Sequence, residues 1–296
     1  MSRNTLTGAA SGGMPRGSER VTLNEVAPRD GLQIEPRFVP TEEKIRWIDA
    51  LSRTGVAKIE ATSFTSPKAI PTLRDAEVVM QGIERVPGVD YVVLVPNEKG
   101  AERALAVGVD EINLVLSASD SHGRANLRMS AEQSLSRFAG IVEITRGSGV
   151  HINASISTAF GCPFEGAVPQ RRVMEIIERL LALGVQGISL CDTTGMANPQ
   201  QVATLRRGAG ALAVAAVDAT RTTHPRDGAG QCLQRLAAGG DAASTLPSVA
   251  WAAAPSPRVP AAMSAPRIWP TCLPRWAWRP ASTSRACSRW PRRCRR

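Results

Sequence analysis

Between residues 20 and about 205, short runs of β-branched and apolar residues alternate with longer amphipathic stretches, six times in succession. A strand lies parallel to its predecessor only if the chain crosses back in between, so this alternation dictates repeated βα units and a parallel sheet. Strands are expected over 21–26, 58–64, 91–96, 111–117, 151–158 and 187–191, and helices over 41–53, 76–83, 100–107, 131–146, 170–183 and 199–207. Thr41 is placed to cap the first helix, with Glu42 and Glu43 in the turn where negative charge suits the helix dipole. A long loop is expected between the fourth strand and its helix. Six units are two short of the eight that close a barrel, so the expected fold is α/β, a TIM (β/α)8-type barrel that is incomplete, followed by an aberrant basic tail.

The chain has 296 residues, room for one barrel of about 250. Residues 1–19 are rich in Ser, Gly and Arg without an apolar core, which reads as a disordered leader rather than a secretory signal. No apolar run is long enough for a membrane span. Six irregularly spaced cysteines fit reduced thiols and a cytoplasmic location. The net charge of +10 invites a nucleic-acid reading, but ten Arg and no acidic residue follow Asp241. The remaining 26 basic residues balance the 26 acidic ones, all before residue 242, so the body is neutral and the net charge belongs to the tail; the expected domains are a barrel over 20–206 and a tail over 207–296. Nucleic acid and membrane are therefore not expected partners. A disordered, surface-binding tail is also disfavoured, because five of the six Trp lie beyond residue 250 and disordered segments lack aromatics.

Working groups in such barrels stand at the C-terminal ends of the strands. Those ends collect Arg29, Asp30 and Gln33, then Glu60, Asn97, Ser119 and His122, and finally Asp192. Each has a plainer reading beside the catalytic one. Arg29 and Asp30 next to Gly31 also suit a solvated turn pair, and Asp192 before Thr193-Thr194-Gly195 also suits a cap for the next helix. Glu60 between Ile59 and Ala61 is different. A carboxylate in an apolar strand needs a partner, and Arg29 on the neighbouring strand is placed to supply it.

The strand-end motifs, in order, are Pro28-Arg29-Asp30-Gly31-Leu32-Gln33, Ile59-Glu60-Ala61-Thr62-Ser63-Phe64, Val95-Pro96-Asn97, Ser117-Ala118-Ser119-Asp120-Ser121-His122, Gly161-Cys162-Pro163-Phe164-Glu165-Gly166 and Ser189-Leu190-Cys191-Asp192-Thr193-Thr194-Gly195. Together they resemble the 3-hydroxy-3-methylglutaryl-CoA lyase family, one branch of the metal-dependent barrel enzymes that include isopropylmalate and homocitrate synthases. The Gly31-Leu32-Gln33 ending and the Gly161-Cys162-Pro163 motif favour the lyase branch over a condensing synthase. The resemblance implies cleavage of 3-hydroxy-3-methylglutaryl-CoA, or a longer-chain homologue, to acetyl-CoA and a 3-oxoacid such as acetoacetate, and an intact barrel is expected to form a homodimer. It makes Asp30 a ligand for a divalent cation, Mg²⁺ or Mn²⁺ by the oxygen chemistry of the site. Arg29 would stabilise the enolate, Glu60 would hold Arg29, and Asp192 would join the acid/base work. Gln33, Asn97, Ser119 and His122 would line or bind substrate.

The resemblance breaks after residue 205. The family carries a His-x-His pair on the seventh strand and a Gly-Gly-Cys-Pro loop with a catalytic Cys, whereas His224-Pro225-Arg226-Asp227 keeps one metal-ligand His and no such loop follows. With the reading frame moved one base upstream, permitted codons from Ala243 onward spell Phe-Asp-Ala-Ser-Val-Gly-Gly-Leu-Gly-Gly-Cys-Pro and continue as the family does. This implies a frame shift upstream of residue 243, near residues 207 to 240. The polypeptide as written is then expected to expose open strand edges, to fold poorly, and to be a catalytically inactive remnant. Cys162 and Cys191 are read as structural.

Overall fold

Where β-branched residues cluster, the chain is extended, and where apolar residues recur at helical spacing, it coils. The computed structural model describes residues 22–212, 216–222 and 248–252, the last two segments as main chain. The elements are β1 (Thr22–Glu25), α1 (Thr41–Ser52), β2 (Lys58–Ser63), α2 (Ala76–Gly82), β3 (Asp90–Leu94), α3 (Glu98–Ala106), β4 (Glu111–Ser117), α4 (Asp120–Leu127), α5 (Ala131–Thr145), β5 (His151–Ser157), α6 (Gln170–Leu183), β6 (Gly187–Asp192), α7 (Pro199–Ala211), β7 (Ala216–Thr222) and β8 (Ser248–Ala252). Strands β1 to β6 and the helices after them are the six expected units.

Two expectations change. The loop foreseen after β4 contains α4, which starts where the Ser119 hydroxyl accepts the His122 N–H at 3.1 Å. Its residues are mostly polar, so no apolar period betrays it in the sequence. Thr41 does not cap α1. Pro40 occupies that position, and the Thr41 hydroxyl instead donates to Asp75 Oδ2 at 2.8 Å. Asp75 also pairs with the buried Lys44 at 2.6 Å, fastening α1 to the loop before α2.

The open edges expected of a six-unit barrel are absent. β7 pairs with β6 from Gly187↔Ala216 to Asp192↔Arg221, and β8 pairs with both β7 and β1, so eight parallel strands close the ring. A closed ring leaves no unpaired ladder on β1 or β6. The expected tail boundary at residue 206 falls inside α7, and β7 and β8 lie beyond it. The leader, residues 223–247 with His224, and residues 253–296 lie outside the described residues. Among the described residues no helix is long and apolar enough to cross a membrane.

Polarity divides the two faces of β4, β5 and β6, although both faces are buried. Ile112, Leu114 and Leu116 of β4, Ile152 and Ile156 of β5, and Ile188 of β6 are at most 3% exposed, in one core with Phe138 and Ile141 of α5 and Ile177 and Leu180 of α6. Each such side chain contributes roughly 1.5–3 kcal/mol on leaving water. The alternate positions are Glu111, Asn113, Val115 and Ser117 on β4, His151, Asn153, Ser155 and Ser157 on β5, and Gly187, Ser189 and Cys191 on β6. On these three strands the lumen face is thus mostly polar, where such barrels usually carry branched apolar residues. Buried polar groups must find one another, and they do so at two levels.

At the N-terminal floor, Lys58 Nζ is paired with Glu111 Oε2, which His151 Nδ1 approaches to 3.1 Å without hydrogen-bond alignment. Burial pushes the Glu111 carboxyl up, but His151 and Lys58 outweigh it and hold the group below its usual range. A carboxyl depressed in the folded state stabilises that state fully above the unfolded value of about 4.3, and the contribution is lost as pH falls through the lower folded value. Urea unfolding between pH 3 and 7 should show stability falling below about pH 5, with a shallower fall in Glu111→Gln. Equal slopes in the two proteins would contradict this account of the floor.

Candidate active site

The mouth of the barrel is shaped first by Pro28. After β1 the chain enters a π-helical turn over Ala27–Gly31, in which the Arg29 and Asp30 N–H groups both donate to Val26 O, at 3.1 and 2.8 Å. Such turns are rare and re-aim side chains. Here the turn directs Arg29 onto β2, where Nη2 donates to Glu60 Oε2 at 2.8 Å while Nη1 meets Asp30 Oδ1 at 2.6 Å. The Arg29 side chain is 14% exposed, Glu60 5% and Asp30 30%. Burial alone would favour losing the Arg29 proton, but Glu60 and Asp30 outweigh it and raise the guanidinium above its ordinary value. Arg29 is a fixed cation, and its buried Nε has no hydrogen-bond partner among the described residues.

Glu60 is held from below as well. Its Oε1 accepts Asn113 Nδ2 at 3.1 Å, and Asn113 Oδ1 accepts both Asn153 Nδ2 at 3.1 Å and Ser155 Oγ at 2.9 Å. Asn153 Nδ2 also donates to Ser189 Oγ at 2.9 Å. Room for the Asn153 amide comes from Gly187 beside it on β6, where a Cβ would lie 2.7 Å from Asn153 Oδ1. None of Asn113, Asn153, Ser155 and Ser189 was expected as a site residue. The available signal was the polar alternation of β4 and β5.

A second group gathers on the β4, β5 and β6 loops. Ser117 Oγ lies 3.1 Å from His122 Nδ1 and 3.0 Å from Thr158 Oγ1. Ser119, besides capping α4, accepts the Cys162 thiol at 3.0 Å, and Glu165 Oε1 accepts the Ser121 N–H at 2.7 Å. Thr158 has a φ of 56°, left-handed for a β-branched residue, and its N–H donates to Thr193 Oγ1 at 2.9 Å. Burial lowers the His122 pKa from its usual value, which disfavours the charged imidazole.

The remaining expected residues hydrogen-bond elsewhere. Gln33 lines a 430 Å³ cavity with Phe38, Thr72 and Arg74, and its carbonyl accepts the Thr72 hydroxyl at 3.2 Å. The Asn97 carboxamide caps α3 through the Gly100 N–H at 2.9 Å. Asp192 Oδ1 accepts the Met196 and Ala197 N–H groups at 2.8 and 3.1 Å, so it shapes its loop, and the cap of α7 is Asn198 instead. Among the described residues no three His, Cys, Asp or Glu side chains gather as metal ligands. Asp30, with Oδ1 on Arg29, offers a single carboxylate, and the described residues alone do not make a divalent-cation centre.

The HMGL-like family model matches residues 20–232, which include every strand from β1 to β7. The chain belongs to the HMGL-like family. Within it, the hydroxymethylglutaryl-CoA lyase of Bacillus subtilis is 46% identical over 187 residues, 63% of this chain and 62% of that protein. The mitochondrial hydroxymethylglutaryl-CoA lyase of Rattus norvegicus is 42% identical over 195 residues, 66% of this chain and 60% of its own length. A solved HMG-CoA lyase from A. baumannii, in complex with coenzyme A and 3-methylmalate, superposes with a TM-score of 0.70 at 44% identity, covering 80% of this chain and 76% of that one. The chain thus spans under two thirds of the length of these curated relatives.

In this HMGL-like barrel the Arg29–Glu60 pair is buried deeply enough that breaking it leaves an unanswered charge. Arg29→Met should lower the unfolding free energy by about 3 kcal/mol, and adding Glu60→Gln should restore part of the loss. Urea denaturation of the single and double variants measures both. A double variant as unstable as Arg29→Met would show that the stranded carboxylate is not the cause.

Proposed function

We propose that the mouth of this barrel cleaves a carbon–carbon bond in a 3-hydroxy-3-methylglutaryl-CoA-type thioester, giving acetyl-CoA and acetoacetate. The observation that carries this is Arg29, a guanidinium locked by Glu60 and Asp30 with its Nε still lacking a partner among the described residues. Removing the proton of the tertiary hydroxyl lets its oxygen form a ketone while the adjacent carbon–carbon bond breaks. The electron pair moves into the thioester as an enolate, which is then protonated on carbon. A cation held in a low-dielectric mouth stabilises that oxyanion without reorganising during the reaction. The Asp192 carboxylate, 5% exposed, takes the hydroxyl proton in this reading. His122 and Ser119 hold the substrate in this reading, with Gln33 and Asn97 further out.

A divalent cation, Mg²⁺ or Mn²⁺, joins this reading through Asp30. It would supply Lewis-acid polarisation of the substrate oxygens. The described residues do not gather three such ligands around it, and no step is assigned to it.

A second reading, an inactive barrel of lyase ancestry, is favoured by the single His224 where the resemblance calls for a His pair and by the missing Gly-Gly-Cys-Pro loop. Resequencing the gene from codon 200 to the stop, with an intact mass, fixes which chain is made. The purified full chain is then assayed for acetoacetate release from 3-hydroxy-3-methylglutaryl-CoA with Mg²⁺ or Mn²⁺. Lyase chemistry predicts turnover that falls about 10²–10³-fold in kcat for Arg29→Gln. Turnover insensitive to Arg29 overturns the mechanism, and a folded chain of confirmed sequence without turnover establishes the second reading.

A further inference from the structure

We infer that Asn113 is a positioning residue that fixes the orientation of the Arg29 guanidinium through Glu60. The inference takes the catalytic role of Arg29 from the proposal above, but its geometry stands apart from it. Asn113 is 8% exposed, in the middle of β4, and makes contacts with both ends of its carboxamide.

The amide can face only one way. An amide oxygen accepts two hydrogen bonds, and both sites on Asn113 Oδ1 are filled, by Asn153 Nδ2 and Ser155 Oγ. The amide nitrogen only donates, so it must turn to an acceptor, and that acceptor is Glu60 Oε1. A flipped amide would set oxygen against the Glu60 carboxylate and its protons against the Asn153 amide protons. Asn153 is constrained likewise, because its Nδ2 serves both Asn113 and Ser189 and its oxygen faces the gap left by Gly187. Glu60 thus meets the two groups on opposite oxygens, Asn113 on Oε1 and Arg29 on Oε2, so turning one turns the other. The register of β4, β5 and β6 is thus carried, through one carboxylate, to the cation at the mouth.

A purely structural role for Asn113 would affect stability alone, so the test reads Arg29 itself. Two-dimensional ¹⁵N–¹H spectra of the Arg29 guanidinium in the full chain require no turnover, and they stand even if the lyase reading fails. Asn113→Asp places a carboxyl against Glu60, and two adjoining carboxyls share a proton. The Arg29 signals should shift and acquire a pH dependence between pH 5 and 8 absent from the wild type. Asn113→Asp with Glu60→Gln, which again faces every donor with an acceptor, should remove it. Ser155→Ala touches neither Glu60 nor Arg29, yet it should move the same signals, less far, in a chain that still melts cooperatively. Where the wild type turns over, Asn113→Asp should lower kcat by about 10²-fold with KM little changed. Arg29 signals that superpose on the wild type in both single variants overturn the inference. Should Asn113→Asp not fold, Ser155→Ala decides alone.

Discussion

Glu60 lies 4% exposed in the middle of β2, and an ionised carboxylate in such a place costs several kcal/mol unless its neighbours answer it. Two neighbours do. Arg29 arrives from above on a turn that Pro28 starts, and Asn113 arrives from the side, two strands along the ring. The mouth depends on this arrangement, because Arg29 owes both its burial and its charge to the carboxylates it meets. Asn153, Ser155 and Ser189 exist as a hydrogen-bonded set only because Asn113 presents its oxygen to them.

The polar lumen shifts the burden of stability outward. Apolar burial is concentrated between the outer face of the strands and the helix layer, where Leu114, Ile156 and Ile177 are fully buried. Hydrogen bonds inside the ring contribute little net stability, though leaving any of them unmade would cost far more. Helices and strands thus hold the barrel together, while the lumen sets which way its functional groups point.

How much of this could be read from the sequence differs from element to element. β4 and α6 fall where the pattern puts them, because β-branched alternation and helical spacing are properties of neighbouring residues. α4 escaped because its helix rests on the Ser119 cap rather than on an apolar stripe. β7 and β8 escaped because short extended runs in a region of altered composition carry no signal of their own partners. In the site, Glu60 demanded a cation by its apolar setting, so Arg29 was legible. Asn113 was not. It reaches Glu60 across β3, through the pairings Glu60↔Val92 and Val92↔Glu111, and only the stagger of a closed ring makes residues 53 apart in sequence into partners. Asn97 and Asp192 were legible as polar strand-end residues, but what each hydrogen-bonds depended on loop geometry that residue types do not encode.

Gly187 bears on how a sequence of this kind can change. Its missing side chain is the space the Asn153 amide occupies, so positions 153 and 187 are not independent sites of substitution. A methyl group appears at 187 without collision only in a chain whose residue 153 has already shrunk or turned away. That order of events makes the pair a ratchet. Homologous barrels that carry a side chain at 187 should lack the amide at 153, whereas a lineage that loses the amide first keeps or loses the glycine freely.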